Sequence, residues 1–371
     1  MIQNTIKINY PETSLTPRFS DVIFNSGVPD LISTFKPGEE KESRCLFVTD
    51  ASVASLSCVQ EFISKFDDDV CGNDKLLILG SGEPYKTIES VLRIVTSALE
   101  AGFNRKDTFI GIGGGVICDI TAFAASIYKR GCNIEFVPTT LLAMVDASVG
   151  GKTGCDFDNY KNMIGSFYPA RKIYYWPEFI QSLPENQYLS GLAEAFKTAV
   201  LFDKELFDIF RNESKKILER DSEILHVIIP KCVQAKAAIV EKDFYEKNIR
   251  AYLNLGHTFA HALESVSGLG AVTHGEAVAW GIGRVTALSN NKGYCLSEFK
   301  EQIFKTMELY GWDTNPIPSI IKGGAIGERL VAVMHKDKKN STSKIKLVIP
   351  KNVSDIMIEE TDDSDILMVL K

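Results

Sequence analysis

The feature that most constrains this chain is the grammar of its first half. Short apolar runs alternate there with stretches of helical period. CLFVTD (Cys45–Asp50), KLLILG (75–80), TFIGIGGG (108–115) and IEFVPTT (134–140) are each apolar and end in glycine, small or polar residues. Between them the apolar spacing predicts helices, notably over 87–101 and 117–128. Strand, turn, helix, repeated, is the pattern of a parallel sheet covered by helices, because parallel neighbours need a long crossover. Ligands of such folds bind beyond the carboxyl ends of the strands. Asp50, residues 80–83, the glycines 113–115 and Thr139 with Thr140 fall there.

From about Leu183 the period changes. Apolar residues recur at helical spacing over 189–201, 224–241, 258–266, 276–290, 296–309 and 326–335, with helix starts read near 186–189, at Thr273 and at Leu296-Ser297. The chain is expected to hold an α/β Rossmann-like N-terminal domain over 1–180 and a mainly α-helical domain over 181–371, with one late strand in KIKLVIP (344–350). No internal repeat or low-complexity segment stands out; the most polar stretch, 336–344, reads as a solvated loop.

The net charge of −7 argues against a nucleic-acid partner, which usually meets a basic surface. The eight cysteines include no Cys-x-x-Cys pair, which removes a zinc ribbon or thioredoxin motif and suits a reducing, cytoplasmic setting. Met1-Ile2-Gln3-Asn4 does not begin a signal peptide, and no run of about 18 apolar residues could span a membrane.

Three constellations carry chemistry. FIGIGGGVICDI (109–120) is a strand running through glycines into a helix, where bare backbone N–H groups can cradle a pyrophosphate. Val116 stands where a third fingerprint glycine is expected. Glu135 lies at the distance of a ribose-binding acid but inside a strand, so Asp50 is the better placed carboxylate. The second constellation, 253–282, holds three of the five histidines. His257 and His261, four apart, share a helix face, and His274 opens the next helix. With Glu194 in GLAEAFK they could form an open site of two histidines and a glutamate, as catalytic zinc uses. Spacing leaves open whether His257, His261 or both bind. The third, VDASVGGKTGCDFDNYKNMIGSF (145–167), sets Asp146, Lys152, Lys161 and Asn162 among glycines, and suits an anionic, hydroxylated ligand. Arg130, Lys236, Arg250 and Asn254 add donors.

SGEPYKT, GGGVICDITAF, YKRG, VPTTLLAMVDASVGGKTG, KNMIGSFYP, SLPENQYLSGLAEAFK, IRAYLNLGHTFAHALE, HGEAVAWG and DKKNSTSKIKLVIP occur in the order found in 3-dehydroquinate synthases, over roughly residues 81–350. The chain resembles that family. The resemblance implies an active site in a cleft between the two domains, with NAD and one divalent metal, zinc or cobalt. It implies that Glu194, His257 and His274 hold the metal, which turns His261 toward substrate. It further implies that Asp146, Lys152, Asn162, Lys197, Lys236, Arg250, Asn254, His261 and Lys338 hold substrate, and that Arg130 reaches a neighbouring subunit's site in a homodimer. NAD contacts are implied for Asp50, Glu83, Lys86, Gly114, Gly115, Val116, Asp119, Thr139, Thr140, Lys152, Lys161 and Ser182. The implied reaction converts 3-deoxy-D-arabino-heptulosonate 7-phosphate to 3-dehydroquinate and phosphate in the shikimate pathway. It runs by transient NAD oxidation, phosphate elimination, reduction and intramolecular aldol closure.

The sequence departs from the family at Cys118, Tyr160 and Asn248, each in place of a glycine, at Ser182 in place of a threonine, and in YYWPEF (174–179). Two enzyme alternatives share the fold: a sibling sugar-phosphate cyclase, which tends to alter the positions of Asn254 and His261, and a metal-dependent polyol dehydrogenase, which lacks the VGGKTG…KN cluster and the Glu194–Lys197 pair. A non-catalytic nucleotide-binding protein would be expected to have lost some of these charges.

Overall fold

The computed structural model describes residues 5–11, 19–66, 72–158, 160–268, 270–336 and 344–371. Two compact units emerge: unit 1 is Met1–Leu183 with Lys236–Tyr245, and unit 2 is Pro184–Ala235 with Glu246–Lys371. The division thus falls after Leu183 rather than after residue 180. It also groups ten residues from the second half of the chain with the first unit.

Unit 1 is built on a seven-stranded sheet of order β1-β2-β9-β6-β5-β3-β4. Its strands are β1 (Thr5–Asn9), β2 (Phe19–Phe24), β3 (Cys45–Asp50), β4 (Lys75–Leu79), β5 (Thr108–Gly113), β6 (Asn133–Pro138) and β9 (Lys172–Tyr175). A separate antiparallel hairpin pairs β7 (Lys152–Phe157) with β8 (Tyr160–Phe167). The helices are α1 (Leu31–Phe35), α2 (Ala51–Ala54), α3 (Ser57–Ser64), α4 (Ile88–Glu100) and α5 (Gly115–Ile127). Only β1 runs antiparallel; every other neighbouring pair in the large sheet is parallel. β3 and β5 are buried along their whole length, which is why they read as unbroken apolar runs rather than alternating ones. The chain leaves β3 to form β4 on one side and returns to form β5 on the other. Strand order therefore reverses between β3 and β5, and the crevice beyond their carboxyl ends is the place where such sheets bind ligands.

Unit 2 is helical: α6 (Glu185–Phe202), α7 (Lys204–Asn212), α8 (Ser214–Leu218), α9 (Ser222–Lys242), α10 (His257–Ser267), α11 (His274–Asn291), α12 (Ser297–Leu309), α13 (Ile326–Lys336) and α14 (Asp363–Met368). The last turns of α9 belong to unit 1. One hairpin, β10 (Ile345–Asn352) with β11 (Asp355–Thr361), completes the unit. α6 and α11 are buried almost throughout, including Phe196, Trp280 and Ile282. A helix buried on all sides lacks a sharp polar face. α11 starts with a capping box: the Thr273 hydroxyl accepts from Glu276 N at 3.3 Å, and the Glu276 carboxylate accepts from Thr273 N at 2.8 Å. No helix among the described residues is long and apolar enough to cross a membrane.

Candidate active site

In unit 1 the strand ends at the switch point carry the expected residues. Asp50 ends β3 and caps α2; its Oδ1 accepts from Ser52 N at 2.9 Å, Val53 N at 3.1 Å and Ser81 Oγ at 3.0 Å. Gly114 caps α5 without a side chain, and Gly115 and Val116 form the helix's first turn, so N–H groups are presented bare. A Cβ on Gly114 would stand 2.9 Å from Thr140 Cγ2, so a side chain there would have to push the Thr140 side chain aside. The buried hydroxyl of Thr139 has no hydrogen-bond partner, an orphan that a bound polar group would satisfy. Thr140 Oγ1 instead accepts from Ala143 N at 3.2 Å.

Lys86 is buried, with Nζ 2.7 Å from Asp119 Oδ2. Burial pulls Lys86 down, but the charges of Asp119 and Glu83 outweigh it and hold the ammonium above its usual range. For Asp119, burial outweighs Lys86 and raises the carboxyl. The 2.7 Å contact favours the ionised pair. Asp146 lies in a single π-helical turn over Ala143–Ala147, and Lys236 Nζ reaches both its carboxylate (2.8 Å) and its carbonyl (2.6 Å). Lys236 therefore has a defined partner, not the solvated end its helical spacing suggests.

Lys152, Lys161 and Asn162 sit on the β7–β8 hairpin and are exposed. Lys161 Nζ is 3.9 Å from Glu83. Asn162 has φ 54°, and its N–H donates to Asp156 at 2.8 Å. Ser182 donates its hydroxyl to Phe179 O at 2.7 Å, turned to its own backbone. Arg130 is exposed on a turn where Lys129, Arg130 and Gly131 all have positive φ. Among the family departures, Cys118 is buried in α5, and Tyr160 is exposed at the hairpin tip.

In unit 2, Glu194 on α6, His257 at the start of α10 and His274 at the start of α11 bring three ligand atoms within 4.8 Å of one another. Glu194 Oε1 lies 3.6 Å from His257 Nε2 and 3.2 Å from His274 Nε2, and Lys197 Nζ lies 2.5 Å from Oε2. Glycine makes this convergence possible. Gly256, with φ 79°, is placed so that a Cβ would be 2.8 Å from Val278 O, and one on Gly281 would be 2.1 Å from Gly256 O. One on Gly275 would be 2.1 Å from Ser190 O. Backbones touch at these points, which brings each histidine to Glu194.

The electrostatics suit a cation. Burial would raise Glu194, but Lys197 first, then His274 and His257, hold it well below the usual carboxylate range. Burial and the Lys197 charge push His257 well below the usual histidine range, leaving a neutral imidazole. Burial also disfavours charge on His274, but contacts with Glu194 and Glu264 outweigh it and lift it to about 9. Neither oxygen of the buried Glu194 makes a well-aligned hydrogen bond, despite its close charged neighbours. A buried, ionised and poorly satisfied carboxylate between two imidazole nitrogens fits a divalent ion that accepts one oxygen and two nitrogens.

His261 faces the same region, with ring centroids 5.6 Å from His257 and 6.3 Å from His274, but stays outside the three-ligand group. Arg250 is buried in the 3-10 turn Ile249–Asn254, and Asn254 Nδ2 donates to Glu246 at 2.8 Å. Lys338 lies outside the described residues. Sequence reasoning missed Glu246, Ser81 and Glu264. Glu264 had a signal: it lies seven residues after His257 and three after His261, on the same face of α10.

Two family models, described as 3-dehydroquinate synthase N-terminal and C-terminal, match residues 76–190 and 191–340. A 3-dehydroquinate synthase from Thermodesulfovibrio yellowstonii is 39% identical over 80% of this chain and 81% of its own length. One from Desulforamulus reducens is 33% identical over 97% and 98%. Among solved structures, a 2-epi-5-epi-valiolone synthase from Streptomyces hygroscopicus, with NAD+ and Zn2+ bound, superposes with a TM-score of 0.83 at 23% identity, over 97% of this chain and 98% of that one; at this identity the likeness concerns the fold. The matched segments, conserved at this level across nearly the whole chain, place it plainly: it belongs to the 3-dehydroquinate synthase family.

Proposed function

We propose that the chain is a metal- and NAD-dependent 3-dehydroquinate synthase, a carbon–oxygen lyase of the shikimate pathway that releases phosphate from 3-deoxy-D-arabino-heptulosonate 7-phosphate as it forms 3-dehydroquinate. The observation that carries this reading is the convergence of Glu194, His257 and His274 beside Lys197, in a chain of this family. Sibling cyclases and polyol dehydrogenases resemble it in fold at low identity. The substrate assignment rests on the relatives at 33–39% identity and on the retained Asn254 and His261.

Bound NAD would supply a reversible hydride acceptor, and a bound zinc or cobalt ion a Lewis acid at the hydroxyl being oxidised. The cofactor would lie on unit 1, its pyrophosphate at Gly114, Gly115 and Val116, its ribose at Asp50, with Glu83, Lys86, Asp119, Thr139, Thr140, Lys152, Lys161 and Ser182 around it. Glu194, His257 and His274 would hold the ion, and Lys197 would neutralise the oxygen of Glu194 turned from it. The remaining residues position one flexible substrate. Arg250, Asn254, Lys152, Asn162 and His261 offer donors to its carboxylate, hydroxyls and phosphate, and Lys338 is assigned to the same task on the resemblance alone. Lys236, pinned to Asp146, presents a fixed rather than a swinging charge. Arg130 on its outward turn suits a role in a second subunit of a homodimer. A cytoplasmic setting fits the free cysteines among the described residues.

The test is phosphate release by the purified protein supplied with the heptulosonate phosphate and NAD. A chelator should abolish release, and zinc or cobalt should restore it. No release with NAD and metal both present sinks the assignment. NADH accumulating with a polyol would favour the dehydrogenase reading.

A further inference from the structure

The metal-directed histidines each have a second ring nitrogen, and the structure gives each one a partner. His257 Nδ1 lies 3.2 Å from Leu255 O, the carbonyl two residues before it. His274 Nδ1 lies 3.5 Å from the Glu264 carboxylate. Glu264 is 9% exposed, sits one helical turn beyond His261 on α10, and belongs to a different helix from the histidine it meets. A carboxylate buried to that degree is costly unless it is paired.

We propose that Glu264 is a positioning residue for the metal centre: its carboxylate holds the Nδ1 side of His274, which keeps the proton there and turns the Nε2 lone pair toward Glu194 and the ion. This rests on the metal-centre reading above and deepens it.

Three observations support the role. The His274 ring has a carboxylate at each nitrogen, Glu264 3.5 Å from Nδ1 and Glu194 3.2 Å from Nε2, so turning it would break a contact on either side. A neutral imidazole has one protonated nitrogen, and an acceptor at Nδ1 selects the tautomer whose Nε2 can bind a cation. Moreover, α11 offers His274 at its first residue, where the helix has not yet built a turn around the side chain. His257 also opens its helix, but the Leu255 carbonyl lies 3.2 Å from its Nδ1; His274 meets the Glu264 side chain from another helix instead. The added negative charge also makes the ring a stronger donor to a cation.

The experiment is a titration of metal-free protein with cobalt(II) alone, following affinity and the visible spectrum, for the parent, Glu264→Ala, Glu264→Gln and His274→Ala. Loss of such an outer partner typically costs about 10–100-fold in metal affinity, and that is the fall expected for Glu264→Ala, with altered cobalt bands because the ring is free to turn. Glu264→Gln keeps an acceptor and loses the charge, so it should fall between Glu264→Ala and the parent. His274→Ala, which removes a ligand rather than its outer partner, should lose cobalt binding altogether and marks the limit of the effect. A merely structural glutamate predicts the opposite: a lower melting temperature of the metal-free protein, with unchanged cobalt affinity and unchanged cobalt bands per folded molecule. Parent-like affinity and spectrum in folded Glu264→Ala overturn the proposal. Should that variant not fold, Glu264→Gln decides: a loss of about threefold or more supports the role, and parent-like affinity overturns it. If the parent itself binds no cobalt, it is the metal-centre reading that fails, and this inference with it.

Discussion

Gly275→Ala is the perturbation that most directly tests how the metal centre is assembled. In an ordinary buried helix this change would gain about 1 kcal/mol, because alanine is the better helix former. Here the new methyl would lie 2.1 Å from Ser190 O, 2.4 Å from Ser190 Cα and 2.5 Å from its carbonyl carbon. Ordinary contact begins near 3.4 Å, so the methyl is about 1.3 Å too close to a backbone that has no rotamer to change. Overpacking of this kind costs about 1–3 kcal/mol when the structure can yield, and more when it cannot. Yielding means that α11 moves off α6 by on the order of 1 Å. His274 precedes Gly275, and Glu194 lies one turn beyond Ser190, so the same movement separates two metal ligands. Metal sites tolerate only ~0.2 Å in ligand distance. The expected result is a melting temperature lower by roughly 2–12 °C, at about 2–4 °C per kcal/mol for a domain of this size. Cobalt affinity should drop by at least about tenfold. Adding Ser190→Gly should not rescue either quantity, since the atoms in the way are backbone. A variant with parent-like cobalt affinity and an unchanged or higher melting temperature would refute the reasoning, because it would show that α6 and α11 part without disturbing the ligands.

Three further results are expected. His274 is lifted to about 9 by Glu194 and Glu264 against the effect of burial, so in metal-free protein it carries a proton that a cation must displace. Cobalt affinity should therefore climb about tenfold per pH unit through the neutral range and level off near 9, and a flat profile from about pH 7 to 8 would contradict this. The sign for stability is opposite: a raised histidine stabilises the metal-free fold fully below about pH 6.5 and loses that share as pH rises through about 9, which thermal melts of metal-free protein can follow. His257→Ala should abolish cobalt binding, while His261→Ala should keep it within about threefold of the parent; equal loss in both would place the metal on the wrong pair.

How much was legible in the sequence varies with the source of the signal. β3 and β5 are buried on both faces, so their apolar runs announce them without any knowledge of neighbours. The β7–β8 hairpin reads as a polar loop because β8 is mostly exposed; its pairing depends on Gly154 and Gly165 passing each other at backbone distance, not on an apolar stripe. β1 is a five-residue edge strand, β2 beside it is fully buried at only two of its six positions, and β9 has only four residues, so none carries a long apolar run. The grouping of Lys236–Tyr245 with unit 1 leaves no mark either, since α9 runs through that boundary as one continuous helix. Lys236 shows the consequence: helical period makes it look solvated, and only the contact with Asp146 gives it a role.

The proposed metal centre was legible in a particular and incomplete way. Spacing put His257 and His261 on one helix face and could not choose between them, because the choice is made by α6 and α11, not by α10. What the sequence does record of those neighbours is glycine. His257 follows Gly256 and His274 precedes Gly275, and each of these glycines stands where a side chain would collide with the backbone of another helix. Glu194 lies one turn from Ser190, the residue against which Gly275 packs. A ligand therefore comes with a nearby site of backbone contact, and the two demands are separate: the imidazole or carboxylate supplies the electron pair, while the glycine lets the helix come near enough for that pair to be shared. His261 has no such glycine beside it; its neighbours are Ala260 and Ala262. The glycines are visible in the sequence, but that they meet the backbone of another helix is seen only in the structure, so spacing alone left the choice open. That contact also means that a substitution which leaves every ligand in place can still empty the site by holding two helices apart.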